Sequence, residues 1–313
     1  MRVLLLALLV GCTSLARAQD DAAPGGAAEM LPMGPRTSSG DLLYVADAWG
    51  KSVDVYTYPG QTPVTTLTGF DEPSALCTDK AGDVFVTDLA GKIIEYAHGG
   101  SSPIATLSDP NSSPSACSVD PRTGNLAVAD SYVPSHKFNY GDIAIYKHAR
   151  GTPRIYEDYP AIQFFTSCAY DDNGNLYAVG YAASSNELAV MREGSKSFTI
   201  VTLNEGSDWV WGGVQWDGKN LALQRYNRNR NAIYRIAISG STGTFVGRVP
   251  TRGPRYINGF WIAGNTVIVP NGLRKDNQVG TWRYPAGGQP ETEFKVKGAY
   301  FVAAVVSSAE GTQ

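Results

Sequence analysis

Asp47, Asp88 and Asp130 end three near-copies of one short run, YVAD, FVTD and AVAD, and Trp49 and Tyr132 follow two of them within two residues. Further along, Trp209, Trp211, Arg225, Tyr226 and Tyr256 fall in loops that a repeating chain would bring to the same end. Rings offer contact area, arginine a planar cation and carboxylates acceptors, a combination that suits a sugar, a peptide or an anion. An acidic arc facing a basic aromatic arc would orient a polar ligand between them. The plainer reading gives each Asp the amides of its own loop, places the rings in the core and leaves the arginines on a solvated edge. No residues combine into a recognisable catalytic set, so no catalytic role is assigned.

Charge supports this division of the chain. Residues 19 to 131 hold fifteen acids against five Lys or Arg, whereas 219 to 255 hold eight Lys or Arg and no acid. The formal net charge of −3 is near neutral, which gives no general case for binding nucleic acid or a membrane surface.

Three histidines are too few and too scattered for a metal centre: His98 and His148 occupy matching places in different repeats, and His136 lies alone in a loop. Cys77, Cys117 and Cys168 have no CxxC or nucleophile context. They read as buried free thiols, with a Cys117–Cys168 bridge between neighbouring repeats as the alternative. Asp171-Asp172-Asn173-Gly174-Asn175 has the composition of a calcium loop but lacks its distant Glu, and Asn-Gly is a preferred turn pair. It is read as a turn, and no metal ligand is assigned.

These residues depend on short strands for their placement. Pro114 to Asp130 reads as two strands around Asp-Pro-Arg-Thr-Gly-Asn, where Pro121 presets φ and Gly124 accepts a positive φ. Six such units begin at 41, 83, 125, 175, 220 and 266, a period of 40 to 50 residues with about four strands each. Abundant Gly and Pro and the lack of a long amphipathic helical run agree. The expected fold is an all-β, six-bladed β-propeller over 41–313 with four-stranded blades. The chain starts on a second strand and ends on an innermost one, so the last strand should complete the first blade and hide its edge.

The phrases GDVFVTD, GNLAVAD and GNLYAVG, each after a strand of small residues, resemble the NHL-repeat and SMP-30/lactonase-like six-bladed propellers. Units four to six depart from them, carrying Tyr181, Arg225 and Asn271 where the Asp series would continue. The resemblance implies a divalent cation in the central channel, held by Glu, Asn and Asp of inner strands. The inner strands here offer no Glu, so no cofactor is expected and the cation is the alternative.

Residues 1–18 read as a signal peptide: Arg2, a nine-residue apolar run and the small-x-small site Ala16-Arg17-Ala18. Leu9-Val10-Gly11-Cys12 also resembles a lipobox, which would lipidate Cys12 and tether the protein to a membrane. Residues 19–40 read as a flexible linker. The sequence therefore points to an exported protein, secreted or periplasmic, that binds a small polar ligand or a protein through its loop face without catalysis. The alternatives are a metal-dependent lactonase-like hydrolase and a lipid-tethered envelope scaffold.

Overall fold

A computed structural model describes residues 40–309, apart from 110–111, 135–139, 159, 183–184, 205–211, 226–231, 255–256, 258, 272–276, 297 and 299, with backbone alone at Arg225 and Phe301. Six sheets, built on antiparallel four-stranded meanders, follow one another along the chain as six blades. Their second strands are Leu42–Asp47, Val84–Asp88, Leu126–Asp130, Leu176–Tyr181, Leu221–Arg225 and Thr266–Asn271. The strand ends fall on the residues that the repeat singles out.

These strands are apolar along their length because both faces of a blade are covered. Side chains alternate between faces, so Leu42, Tyr44 and Ala46 pack toward blade 2 while Leu43 and Val45 pack toward blade 6. Six buried clusters result, one at each interface between adjacent blades. Burying one such Leu or Val side chain contributes about 1.5–3 kcal/mol.

The ring closes as the repeat phase requires. The C-terminal strand Phe301–Ser307 pairs antiparallel with Leu42–Asp47 and becomes the innermost strand of blade 1. His98 fastens this seam. Its side chain is 0% exposed, with Nδ1 2.6 Å from the Ser307 hydroxyl and Nε2 3.0 Å from the Gly40 carbonyl. The Ser307 hydroxyl in turn reaches the Gly82 carbonyl at 2.5 Å. A side chain at Gly82 would collide with the Ser308 carbonyl, so the close approach requires glycine. His98 and His148 thus differ despite their matching places, since His148 is exposed and bonds the Thr123 carbonyl at 2.8 Å.

Blade 5 departs from the four-strand plan. Thr202–Leu203 leaves blade 4, whose outer strand is only Thr199–Ile200, and adds a parallel fifth strand beside Thr242–Pro250. No helix among the described residues is long and apolar enough to cross a membrane.

Candidate functional site

Each second strand ends where the inner strand of its blade begins: Asp47 pairs with Phe301, Asp88 with Pro73, Asp130 with Pro114 and Tyr181 with Phe164. The residues at these ends therefore share one face around the axis.

The three Asp residues meet different surroundings there. Asp47 Oδ1 accepts the Gly50 and Tyr300 amides, each at 2.9 Å. Asp88 accepts the Asp71, Glu72 and Ala90 amides at 2.7, 3.1 and 3.0 Å. Each thus takes one amide of its own loop, as in the plainer reading, and further amides of the segment entering the inner strand of its blade. Asp130 is 0% exposed, and neither of its carboxylate oxygens has a hydrogen-bond partner among the described residues.

Among the described residues, aromatic side chains meet in two groups on this face. Trp49 is 49% exposed and lies against Tyr300, ring centroids 4.9 Å apart. On the opposite side of the ring, Tyr181 stacks on Phe164 at 4.8 Å, and Tyr140 meets the edge of Phe164 at 5.6 Å. Tyr132 stands 41% exposed beside Asp130. Tyr300 and Tyr140 are absent from the sequence-derived set. The cross-strand facing of Phe164 and Tyr181, where the Asp series stops, is the signal that would have found the second stack.

Trp209, Trp211, Tyr226 and Tyr256 lie outside the described residues. Arg225 ends the second strand of blade 5, paired with Ala232, and its side chain lies outside them as well. The loops 131–141 and 226–231, longer in the sequence than their counterparts in the first two units, include residues outside the described set.

The six inner strands line a central channel of about 1090 Å³. Polar side chains of these strands join blades. The Ser74 hydroxyl donates to the Pro114 carbonyl at 2.5 Å and the Ser115 hydroxyl to the Phe165 carbonyl at 3.3 Å. Both serines sit at register shifts, where a bulge frees the side chain from the ladder. Ser118 accepts the Tyr170 amide and Ser167 the Val214 amide, both at 3.0 Å. Gln215 accepts the Ile262 amide at 2.7 Å and donates to its carbonyl at 3.2 Å.

The cysteine expectation is corrected. Cys77 and Cys117 form a disulfide, with Cα atoms 5.7 Å apart, and Cys168 is the free, buried thiol. Being register-equivalent, Cys117 and Cys168 point the same way around the ring, Cys117 into the blade 2–3 cluster and Cys168 into the blade 3–4 cluster. A bridge needs side chains on facing surfaces, and a one-residue offset supplies that. Cys77 has the offset. Burial pushes the Cys168 thiol well up from its ordinary range.

Asp171 behaves as a turn residue, accepting the Asn173 and Asn175 amides at 2.9 Å. Asp79 and Asp217 do the same in their own inner hairpins. Among the described residues, no group of three His, Cys, Asp or Glu side chains is arranged to hold a metal ion.

No protein-family model and no curated protein matches the sequence. Solved structures do match. A chain of a nidogen/laminin complex superposes with a TM-score of 0.66 at 15% identity, covering 87% of this chain and all of that one. A protein of unknown function from Bacteroides caccae gives a TM-score of 0.62 at 13% identity, covering 86% and 99%. At such identities the likeness shows the six-bladed fold alone. With 1452 solved chains matching, the fold does not select a function.

Proposed function

We propose that this chain is an exported propeller that binds a ligand or a protein through the face where the second strands end, without catalysing a reaction. Trp49 carries the reading. It is half-exposed on a backbone held by the Asp47 contacts to Gly50 and Tyr300 and by the Ala48 amide on the Tyr300 carbonyl at 3.0 Å. A large ring held out to solvent by a fixed loop loses little freedom on contact, as anchor residues of interfaces do. Asp47 and Asp88 accept backbone amides, and the rings are the groups held out for contact. A place among NHL-repeat and lactonase-like propellers belongs to the same proposal, supported by the recurring GNLAVAD-type phrases. Export is supported by the apolar leader and by the Cys77–Cys117 disulfide, which suits an oxidising compartment. The structural likeness to a chain from a two-protein complex agrees with a binding role.

The test compares the protein with Trp49→Ala on glycan and peptide arrays and in capture of extracellular proteins. Bound species should drop at least tenfold in signal with the variant while the melting temperature stays within about 2 °C, as for an exposed substitution. Binding that is indifferent to Trp49→Ala would overturn the reading.

A further inference from the structure

Asp109, Asp130 and Asp142 gather where blades 2 and 3 meet beneath the loop face, and all three are buried. The carboxyl groups of Asp109 and Asp130 lie within hydrogen-bond reach of one another. Yet Asp109 Oδ2 and both oxygens of Asp130 have no partner among the described residues. The conflict has a chemical origin. Two carboxylates are acceptors only, so their contact is a hydrogen bond only when a proton lies between them. The Ser112 hydroxyl, a nearby donor, is committed to the Asp109 carbonyl at 2.7 Å.

We propose that Asp109 and Asp130 share one proton and act as a proton-operated brace under the Tyr132 loop, tight while the proton is held and strained when it leaves. Among the described residues the groups acting on Asp130 are acidic or neutral, with the Ser112 hydroxyl alone favouring the charged form. Burial raises its pKa most, then the Asp109 charge, then that of Asp142, so it stands well above the ordinary carboxylate range. Asp109 is also raised, first by its burial. Burial first, and then the same negative charge, pushes up Tyr146 and the Cys168 thiol. Like-charged carboxyls in a dry site cannot both ionise cheaply, and a shared proton is the usual outcome.

The pair lies in a joint. The Asp130 amide donates to the Asp142 carbonyl at 2.9 Å, and the Ser131 amide to the Ser113 carbonyl at 3.2 Å. The Ser112 amide donates to the Asp109 carbonyl at 3.4 Å. Gly141 passes so close that a side chain there would collide with the Asp130 carbonyl. The segment entering the inner strand of blade 3 and the segment carrying Tyr132 are thus tied together around the two carboxyls. Release of the proton to solvent leaves two negative charges side by side in a dry site. Among the described residues the neutral Ser112 and Tyr146 hydroxyls alone face them as donors, and the joint opens.

The pH dependence follows from the direction of both shifts. Folded pKa values above the unfolded ones mean that the folded protein holds more protons. Stability from this pair is full below the unfolded range and is lost as pH rises through the folded range. Between about pH 8 and about pH 5, acidification should therefore raise the melting temperature of the protein by about 2 °C or more relative to Asp130→Asn. The variant should be flatter over this window and more stable than the parent at its upper end. Protection factors at Ser131 and Tyr132, corrected for the intrinsic pH dependence of amide exchange, should rise on acidification in the parent only. Should Asp130→Asn fail to fold, Asp109→Asn and infrared spectroscopy of the parent decide. A protonated-carboxyl band at neutral pH, lost in the variant that folds, is the result expected. A missing band overturns the proposal, as does an identical pH slope in parent and variant. Stabilisation of the parent but not of Asp130→Asn by calcium or magnesium overturns it too, since a cation would then sit where the proton is placed. None of these outcomes depends on which ligand the loop face binds.

Discussion

The interface between blades 2 and 3 and the interface between blades 5 and 6 follow one backbone plan and are fastened by different chemistry. The first carries the disulfide, the Ser74 bridge to Pro114 and the buried carboxyls of Asp109 and Asp130. The second has a side chain in place of the covalent link, Gln215 against the Ile262 backbone, and a polar trio reaching from blade 5 to blade 6. In that trio Asp217 accepts Arg235 Nε at 2.7 Å and the Tyr284 hydroxyl at 2.6 Å, with its own side chain 1% exposed. Burial would push Asp217 up, but the hydrogen bonds from Tyr284, Arg235 and the Asn220 and Lys219 amides outweigh it and hold it below its ordinary value. An Asp is thus stabilised as an anion on one side of the ring and disfavoured as an anion on the other. Burial acts the same way on both, so the neighbours decide the sign, donors around Asp217 and like charges around Asp130.

The largest effect should come from the seam between these regions. Deleting 299–313 removes the inner strand of blade 1, bares the edge of Leu42–Asp47 and opens the contacts with blades 2 and 6. The expected product aggregates. A soluble truncation with unchanged melting temperature would show that blade-to-blade fastening suffices without closure.

Next in size is the covalent fastening. Replacing Cys77 and Cys117 together by Ser opens a loop closed across a separation of 40 residues, a loss of about 3–4 kcal/mol from chain entropy. Urea unfolding measures it. A loss below about 1 kcal/mol would mean that the non-covalent contacts of this interface already match those of blades 5 and 6.

The smallest effect tests the opposite pH signs. Tyr284→Phe removes one donor to a charged acceptor and should cost about 1.5–3 kcal/mol near neutral pH. A lowered folded pKa gives stability that is present above the unfolded value and lost as pH falls through the folded one. The variant should therefore differ most from the parent near neutrality and converge with it below about pH 4. The Asp130→Asn variant should instead diverge from the parent as pH rises. Equal pH behaviour in the two variants would collapse the distinction between the interfaces.

The repeat, the strand ends and the closing strand were legible because their signals are local. A strand buried on both faces is apolar throughout, a hairpin needs Gly, Asn or Asp at its turn, and the phase of the chain leaves one strand to complete the first blade. The pairing of Cys77 depended on which face of its blade a side chain takes, and repeat-level register hides a one-residue offset. Asp88 and Asp130 show the limit most plainly. They hold the same place in the same motif, and the sequence determined that both end a second strand on one face. Only the tertiary structure decided that the segment beside Asp88 presents the Asp71 and Glu72 amides, whereas the segment beside Asp130 presents the Asp109 carboxyl. A carboxylate takes its character from the donors around it, and those come from residues of the neighbouring loop.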